Sequence, residues 1–186
     1  MTSLATVQDD SRESLIARHC RLIRNKTARS NTHLPDAFDL AKRPYELKSA
    51  TTNSVTTARD VGLHTLQDWK QRYWIIAFGT NLASGFRIRE LFIAHPSDLS
   101  LFFNRLEERL LNRSRLCDEV LERARVGGAS AETLAAVKML MARGMTENNP
   151  HISRKIIFDN ATSLSATDSG TASAAIQEFV ILHPLL

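Results

Sequence analysis

Six histidines and two cysteines are the side chains of this 186-residue sequence best suited to metal binding or nucleophilic attack, and their spacing argues against both. His19, His33, His64, His95, His151 and His183 occur singly, with no HxH, HExxH or His/Cys grouping to close a metal shell. No metal is expected. Cys20 and Cys117 form no CxxC pair, so neither a disulfide framework nor a thiolate site is expected, and Cys117 lies in a predicted helix without an activating partner. No GxSxG elbow is present. Glu107 and Glu108 are consecutive helix positions about 100° apart, a solvated face and not paired carboxylates. None of the seven glycines falls in a phosphate-cradling loop between strand and helix. The expectation is a protein without catalytic residues or cofactor, a binder and not an enzyme.

Arginine is the remaining chemistry. Between Arg12 and Arg29 six basic residues (Arg12, Arg18, Arg21, Arg24, Lys26 and Arg29) face the single acid Glu13, which suggests an anionic partner at the N-terminal side. Arginine outnumbers lysine 18 to 6, and a planar guanidinium suits phosphate or a guanine edge better than an ammonium does; a codon bias of the source genome is the alternative. Apolar residues at 43% and charged residues at 24% describe a chain that folds. The first residues carry no export signal, and apolar runs such as Trp74 to Phe78 are far too short to span a bilayer, so the expectation is a soluble, cytoplasmic protein with no membrane partner.

Elements must position these arginines. Residues 11–24 read as an amphipathic helix with Leu15, Ile16, Cys20 and Ile23 on one side. Residues 27–57 are rich in Ser, Thr and Asn and read as loop, with a short element near Asp36 to Leu40. A helix over Leu63 to Tyr73 leads into the apolar run Tyr73 to Phe78, either a buried strand or the end of that helix. Phe86-Arg87-Ile88-Arg89 alternates as a strand does; Glu90 breaks the parity before Leu91-Phe92-Ile93, which implies a bulge or a strand end. Pro96 with Ser97 or Asp98 as cap starts a helix striped by Leu99, Phe102, Phe103, Leu106 and Leu110. Four polar residues at Asn112 to Arg115 favour two helices with a turn at Asn112, one continuous helix being the alternative. A helix from Ala131 to Arg143, a strand over Ile152 to Phe158, a loop or weak helix over 159–173 and a terminal helix over Ala174 to Leu182 complete the reading.

Strand, helix, turn, helix is the order from Phe86 to Val126, and that stretch resembles the ribbon-helix-helix family of DNA-binding proteins. The basic alternation Phe86 to Arg89, the helix start Pro96 to Leu99 and the turn Asn112 to Arg115 before Glu119-Val120-Leu121 carry the likeness. The resemblance implies two chains pairing their strands into a ribbon in the major groove, with Arg87 and Arg89 reading bases. It also implies phosphate anchored at the start of a second helix by Arg113 and Ser114, with Arg115 beside them. Arg18, Arg21 and Arg24 would add nonspecific affinity. The alternative for Arg87 and Arg89 is a solvated strand face in a hairpin with Tyr73 to Phe78, and for Arg113 and Arg115 an exposed helix surface.

The expected fold class is thus α+β and mostly helical: a short β-ribbon followed by two helices, with N- and C-terminal extensions. Residues 1–58 would form a basic arm and linker, 59–128 the core, and 129–186 a helical extension. The expected function is a homodimeric, DNA-binding transcriptional regulator of the kind carried by plasmids and other mobile elements. The rival is a non-enzymatic interaction module: a secretion-associated effector, chaperone or assembly factor.

Overall fold

A computed structural model describes residues 4–25, 27 and 33–185. Its elements in chain order are α1 (Leu4–His19), β1 (Ile23–Arg24), β2 (Ala37–Phe38), β3 (Pro44–Ala50), β4 (Ser54–Thr56), α2 (Leu63–Trp69), β5 (Tyr73–Leu82), β6 (Gly85–Ala94), α3 (Ser100–Val126), α4 (Ala131–Ala142), β7 (His151–Ser153), α5 (Arg154–Asn160), β8 (Thr162–Leu164) and α6 (Ser169–Leu182). Six strands make one sheet in the order β1-β2-β3-β5-β6-β8, while β4 and β7 pair separately. Within the large sheet β3 and β5 run parallel and every other pair is antiparallel.

The apolar run Tyr73 to Phe78 is a central strand, and its two-residue period supplies two cores. Tyr73, Ile75 and Ala77 pack with Ile16, Cys20, Leu47, Ile176 and Phe179, under α1 and α6. Trp74, Ile76 and Phe78 pack with Leu66, Trp69, Phe102, Phe103 and Ile157, under α2, α3 and α5. The result is a sheet with helices on both faces.

This architecture overturns the expected ribbon-helix-helix core. The strand bearing Arg87 and Arg89 is β6, which pairs with β5 of the same chain from Leu82↔Gly85 to Trp74↔Ala94. The hairpin satisfies a strand that the ribbon would have paired with a second copy. A register shift opposite Phe78/Gly79 leaves Arg89 out of the ladder, at the parity slip the sequence shows beside Glu90. Gly79 permits this: a Cβ there would collide with the Arg87 carbonyl oxygen and with the Phe86 ring.

Nor is there a turn at Asn112. α3 is one helix of 27 residues, preceded by a 3-10 turn (Pro96–Leu99) that is capped by the His95 ring and a returning Asp98 carboxylate, not by Ser97 or Asp98 accepting from the first turn. Neither Gly nor Pro interrupts α3, and its buried stripe ends at Leu110 with one further contact, Cys117, so the polar turn 112–115 has no core to lose. Three more expectations are corrected. Residues 27–57 contain three strands, and within Ile152 to Phe158 only the first two residues are extended, because Ser153 caps α5. The terminal helix begins earlier than expected, at Ser169, with Asp168 as its cap. No helix among the described residues is long and apolar enough to cross a membrane.

Candidate active site

β3 is where the molecule buries charge. Its pattern is Pro-Tyr-Glu-Leu-Lys-Ser-Ala, so Tyr45 and Leu47 enter the core under α1 while Glu46 and Lys48 share the opposite face. All four side chains are buried. β2 pairs with β3 only through Ala37↔Tyr45 and Phe38↔Pro44, so the ladder opens at Glu46. There Asp36, the residue before β2, substitutes a carboxylate for a strand carbonyl: the Leu47 N–H donates to Asp36 Oδ2 at 2.9 Å. The two-residue length of β2 is thus what admits an acidic side chain beside Glu46 and Lys48.

A cage of charge follows. Lys48 Nζ lies 2.7 Å from Glu46 Oε1 and 3.3 Å from Asp36 Oδ2. Arg72, 3% exposed and placed between α2 and β5, donates from Nη1 to the other Glu46 oxygen at 2.7 Å. It is itself oriented by the Leu34 carbonyl at 3.1 Å and the His33 carbonyl at 2.7 Å. On the α1 side Glu13 pairs with Arg24, whose Nη1 also donates to the Asp36 main-chain oxygen at 2.9 Å and stands 3.8 Å from Asp36 Oδ1. Three carboxylates from three segments, Glu13, Asp36 and Glu46, therefore gather around Lys48.

The electrostatics fit this crowding. Burial, then the charge of Asp36, pushes the Glu13 carboxyl up to about 7 against the opposing pull of Lys48 and Arg24. Burial and Asp36 likewise raise Glu46, although Lys48 and Arg72 hold its two oxygens. For Lys48 burial disfavours the ammonium, but Asp36, Glu46 and Glu13 more than offset it, so its pKa rises and it stays protonated. Lys48 is consequently no general base. It is a fixed positive charge held between the carboxylates of Asp36 and Glu46.

The site opens into a cleft of about 460 Å³ lined by Glu13 and Lys48, by hydroxyls including Thr51, Thr52 and Thr57, and by Arg12 and Arg59. A second cleft of about 240 Å³ shares Ala50, Thr51 and Thr52 with the first and is lined further by Arg89 and Arg154. Cations thus flank the carboxylates along a continuous polar surface.

Of the arginines singled out in the sequence, Arg24 belongs to the carboxylate cage and Arg89 lines the neighbouring cleft. Arg87 is exposed on the hairpin, paired in register with Thr80. Arg18 is exposed near the end of α1, and Arg21 lies near Asp168 at the start of α6. Lys26 and Arg29 lie outside the described residues. Arg113 donates to the Thr146 carbonyl at 2.7 Å and lies 3.6 Å from Glu147; Ser114 and the exposed Arg115 follow it on the same helix. The amides of Arg113 and Ser114 are interior to α3, so the open helix start on which phosphate anchoring depended is absent. Cys20 is buried and its thiol is pushed up to about 12 by that burial, which removes it as a nucleophile.

The sequence reading missed Asp36, Glu46 and Lys48 and saw in Glu13 only the lone acid of a basic run. Their signal was present: Pro35-Asp36, then Glu46-x-Lys48 with charged and apolar residues interleaved at strand period. No protein-family model matches this sequence, and no curated protein is significantly similar to it.

Proposed function

We propose that this protein is a divalent-cation-dependent phosphodiesterase that cuts nucleic acid, with duplex DNA as its substrate. The observation that carries the reading is the convergence of Glu13, Asp36 and Glu46 around Lys48 at the open edge of β3, beneath a cleft rimmed with arginine. A cluster of acidic oxygens is the donor set that hard cations such as Mg²⁺ select, and the ammonium of Lys48 already occupies the position of a compensating charge among them. When bound, such a cation polarises a phosphoryl oxygen and lowers the pKa of water.

The chain's own residues supply the rest. Asp36 and Glu46 would hold the cation, and Arg72 fixes the Glu46 rotamer from behind. Lys48 would present its ammonium to the charge that develops on the phosphate, a role its raised pKa favours. Glu13, titrating near 7, has the affinity of a group that takes a proton from attacking water at neutral pH. Arg12, Arg59 and Arg89 would receive flanking phosphates, a sequence-independent and salt-sensitive contribution. Arg87, exposed beside them, is the residue best placed to add contacts from the hairpin. This reading keeps DNA as the partner expected from the arginines and replaces a regulator that only binds with an enzyme that binds and cuts. A second copy of the chain would bring a second set of carboxylates to the opposite strand.

Incubation of purified protein with supercoiled plasmid and Mg²⁺ is the test. Nicked or linear product is expected with Mg²⁺ and not with a chelator. Lys48→Met and Asp36→Asn should each lower the rate on the order of a hundred- to a thousandfold while retaining duplex binding in the absence of metal. Metal-independent binding with no cleavage under any divalent cation would leave the regulator reading standing, and absence of binding at low salt would favour the interaction module.

A further inference from the structure

The fold assembles a second donor set, of different chemistry, on the other side of Arg72. The ring nitrogen Nδ1 of His33 lies 2.7 Å from Asp68 Oδ2, and Nδ1 of His64 lies 3.2 Å from the same oxygen. One ligand atom from each of the three residues falls within 4.8 Å of the others. His64 and Asp68 are one helical turn apart on α2, which puts them on one face; His33 comes from a separate segment 31 residues earlier in the chain. Its position is not left to a mobile loop, since its own carbonyl accepts from Arg72 Nη2 at 2.7 Å.

From this convergence we infer that His33, His64 and Asp68 form a binding site for a transition-metal cation of the Zn²⁺ type, distinct from the carboxylate site at β3. Two imidazoles and one carboxylate are a ligand set that Zn²⁺ accepts, with a fourth position left for water. Tetrahedral ligands at about 2.0–2.1 Å from zinc stand roughly 3.3 Å from one another. Both His–Asp separations lie below that value, His64 only just, and a turn of the His64 imidazole, 79% exposed, would open the set to it. Nitrogen donors here and an all-oxygen set at β3 would sort cations by softness, so the two sites need not compete.

The consequence is a clamp. His33 lies three residues before Asp36, and Arg72 joins the His33 and Leu34 carbonyls to Glu46. A metal bridging His33 to α2 would pin the segment that delivers Asp36 to the candidate active site. This inference stands on the imidazole cluster alone and does not require the phosphodiesterase reading to hold.

The experiment is a calorimetric titration of the metal-free full chain with Zn²⁺, with Co²⁺ as the spectroscopic probe. One equivalent of Zn²⁺ should bind the wild type, and His33→Gln and His64→Gln should each weaken it at least about tenfold to a hundredfold. His64 is exposed, so His64→Gln tests the site without threatening the fold. Asp36→Asn, which damages only the carboxylate site, should bind Zn²⁺ as the wild type does. Zn²⁺ at a hundredfold excess over Kd should raise the melting temperature by roughly 5–10 °C in the wild type and not in His64→Gln. Co²⁺ should give visible bands of a nitrogen and oxygen set with no thiolate charge transfer. The inference fails if the wild type binds no Zn²⁺, if both histidine variants bind it undiminished, or if binding is lost with Asp36→Asn instead.

Discussion

Two regions of this molecule distribute charge and hydrocarbon in opposite ways. At the open edge of β3 the chain buries Glu46, Lys48 and Arg72, each less than a tenth exposed. Beyond Leu110, α3 and α4 leave the sheet and expose Leu116, Val120, Met139 and Leu140, and α4 has no buried residue at all. Burial of charge opposes folding unless every partner is in place, whereas single exposed apolar side chains are nearly neutral. The β3 edge therefore holds a costly arrangement against the trend of the fold, and the helical hairpin holds an inexpensive one. A costly arrangement of titratable groups beside a cleft is a functional-site candidate, and it is the reason for proposing function at β3 and not on the arginines of α3.

The largest effect expected from breaking that contrast is at Arg72. Arg72→Met leaves Glu46 with only Lys48 and strips the His33 and Leu34 carbonyls of their donor, so a loss of about 3–5 kcal/mol is expected in urea denaturation. Replacing Glu46 as well, in Glu46→Leu/Arg72→Met, should recover part of that loss, because the double variant no longer strands the Glu46 carboxylate and Lys48 keeps Asp36 as its partner. Additive losses would show that the pair contributes little and that Arg72 acts through the two carbonyls alone.

A smaller effect is expected from pH. Glu13 is raised from 4.5 to about 7 by burial and by the facing charge of Asp36, with Glu46 adding to it and Lys48 and Arg24 opposing. Between those values the folded chain holds a proton that the unfolded chain has released, so stability falls as pH rises from 4.5 through 7 and levels off above. The shift corresponds to at most about 3–4 kcal/mol. Glu13→Gln should reduce the fall, measured as the difference between variant and wild type in urea midpoints at pH 5, 6, 7 and 8. Parallel profiles would mean that Glu13 is ionised in the folded state at all these values, held by Arg24.

The same contrast explains what the sequence disclosed. Phe86 to Ile93 was legible because an apolar period runs through it, and even the slip at Glu90 became a bulge, whereas the unbroken apolar run Tyr73 to Phe78 left strand and helix end equally open and is a strand by its pairing with β3 and β6. β3 was not legible because its alternation sets Tyr45 and Leu47 against Glu46 and Lys48, which by composition reads as a polar loop. β1 and β2 have two residues each, too few to show any period. Asp36, Glu46 and Lys48 are close in sequence, but Glu13 joins them only through the packing of α1 on the sheet, a tertiary fact with no local signature. At α3 the error was of another kind: a break in the apolar stripe at Asn112 to Arg115 implies a turn only if the helix has a core to face along its whole length, and this one leaves its core at Leu110.

The smallest effect belongs to the exposed hairpin. Met139 and Leu140 are 78% and 77% exposed on α4, and lysine is as good a helix former as either. Met139→Lys/Leu140→Lys should therefore change stability by less than about 0.5 kcal/mol, whereas Leu106→Lys, at a fully buried position on α3, should prevent folding. The measurement is the urea midpoint of the double variant at two protein concentrations a hundredfold apart. A loss well above that bound, growing with protein concentration in the wild-type reference, would mean that α4 is covered by a second copy in solution. The asymmetry between the two regions would then vanish, since both would bury what the single chain leaves exposed.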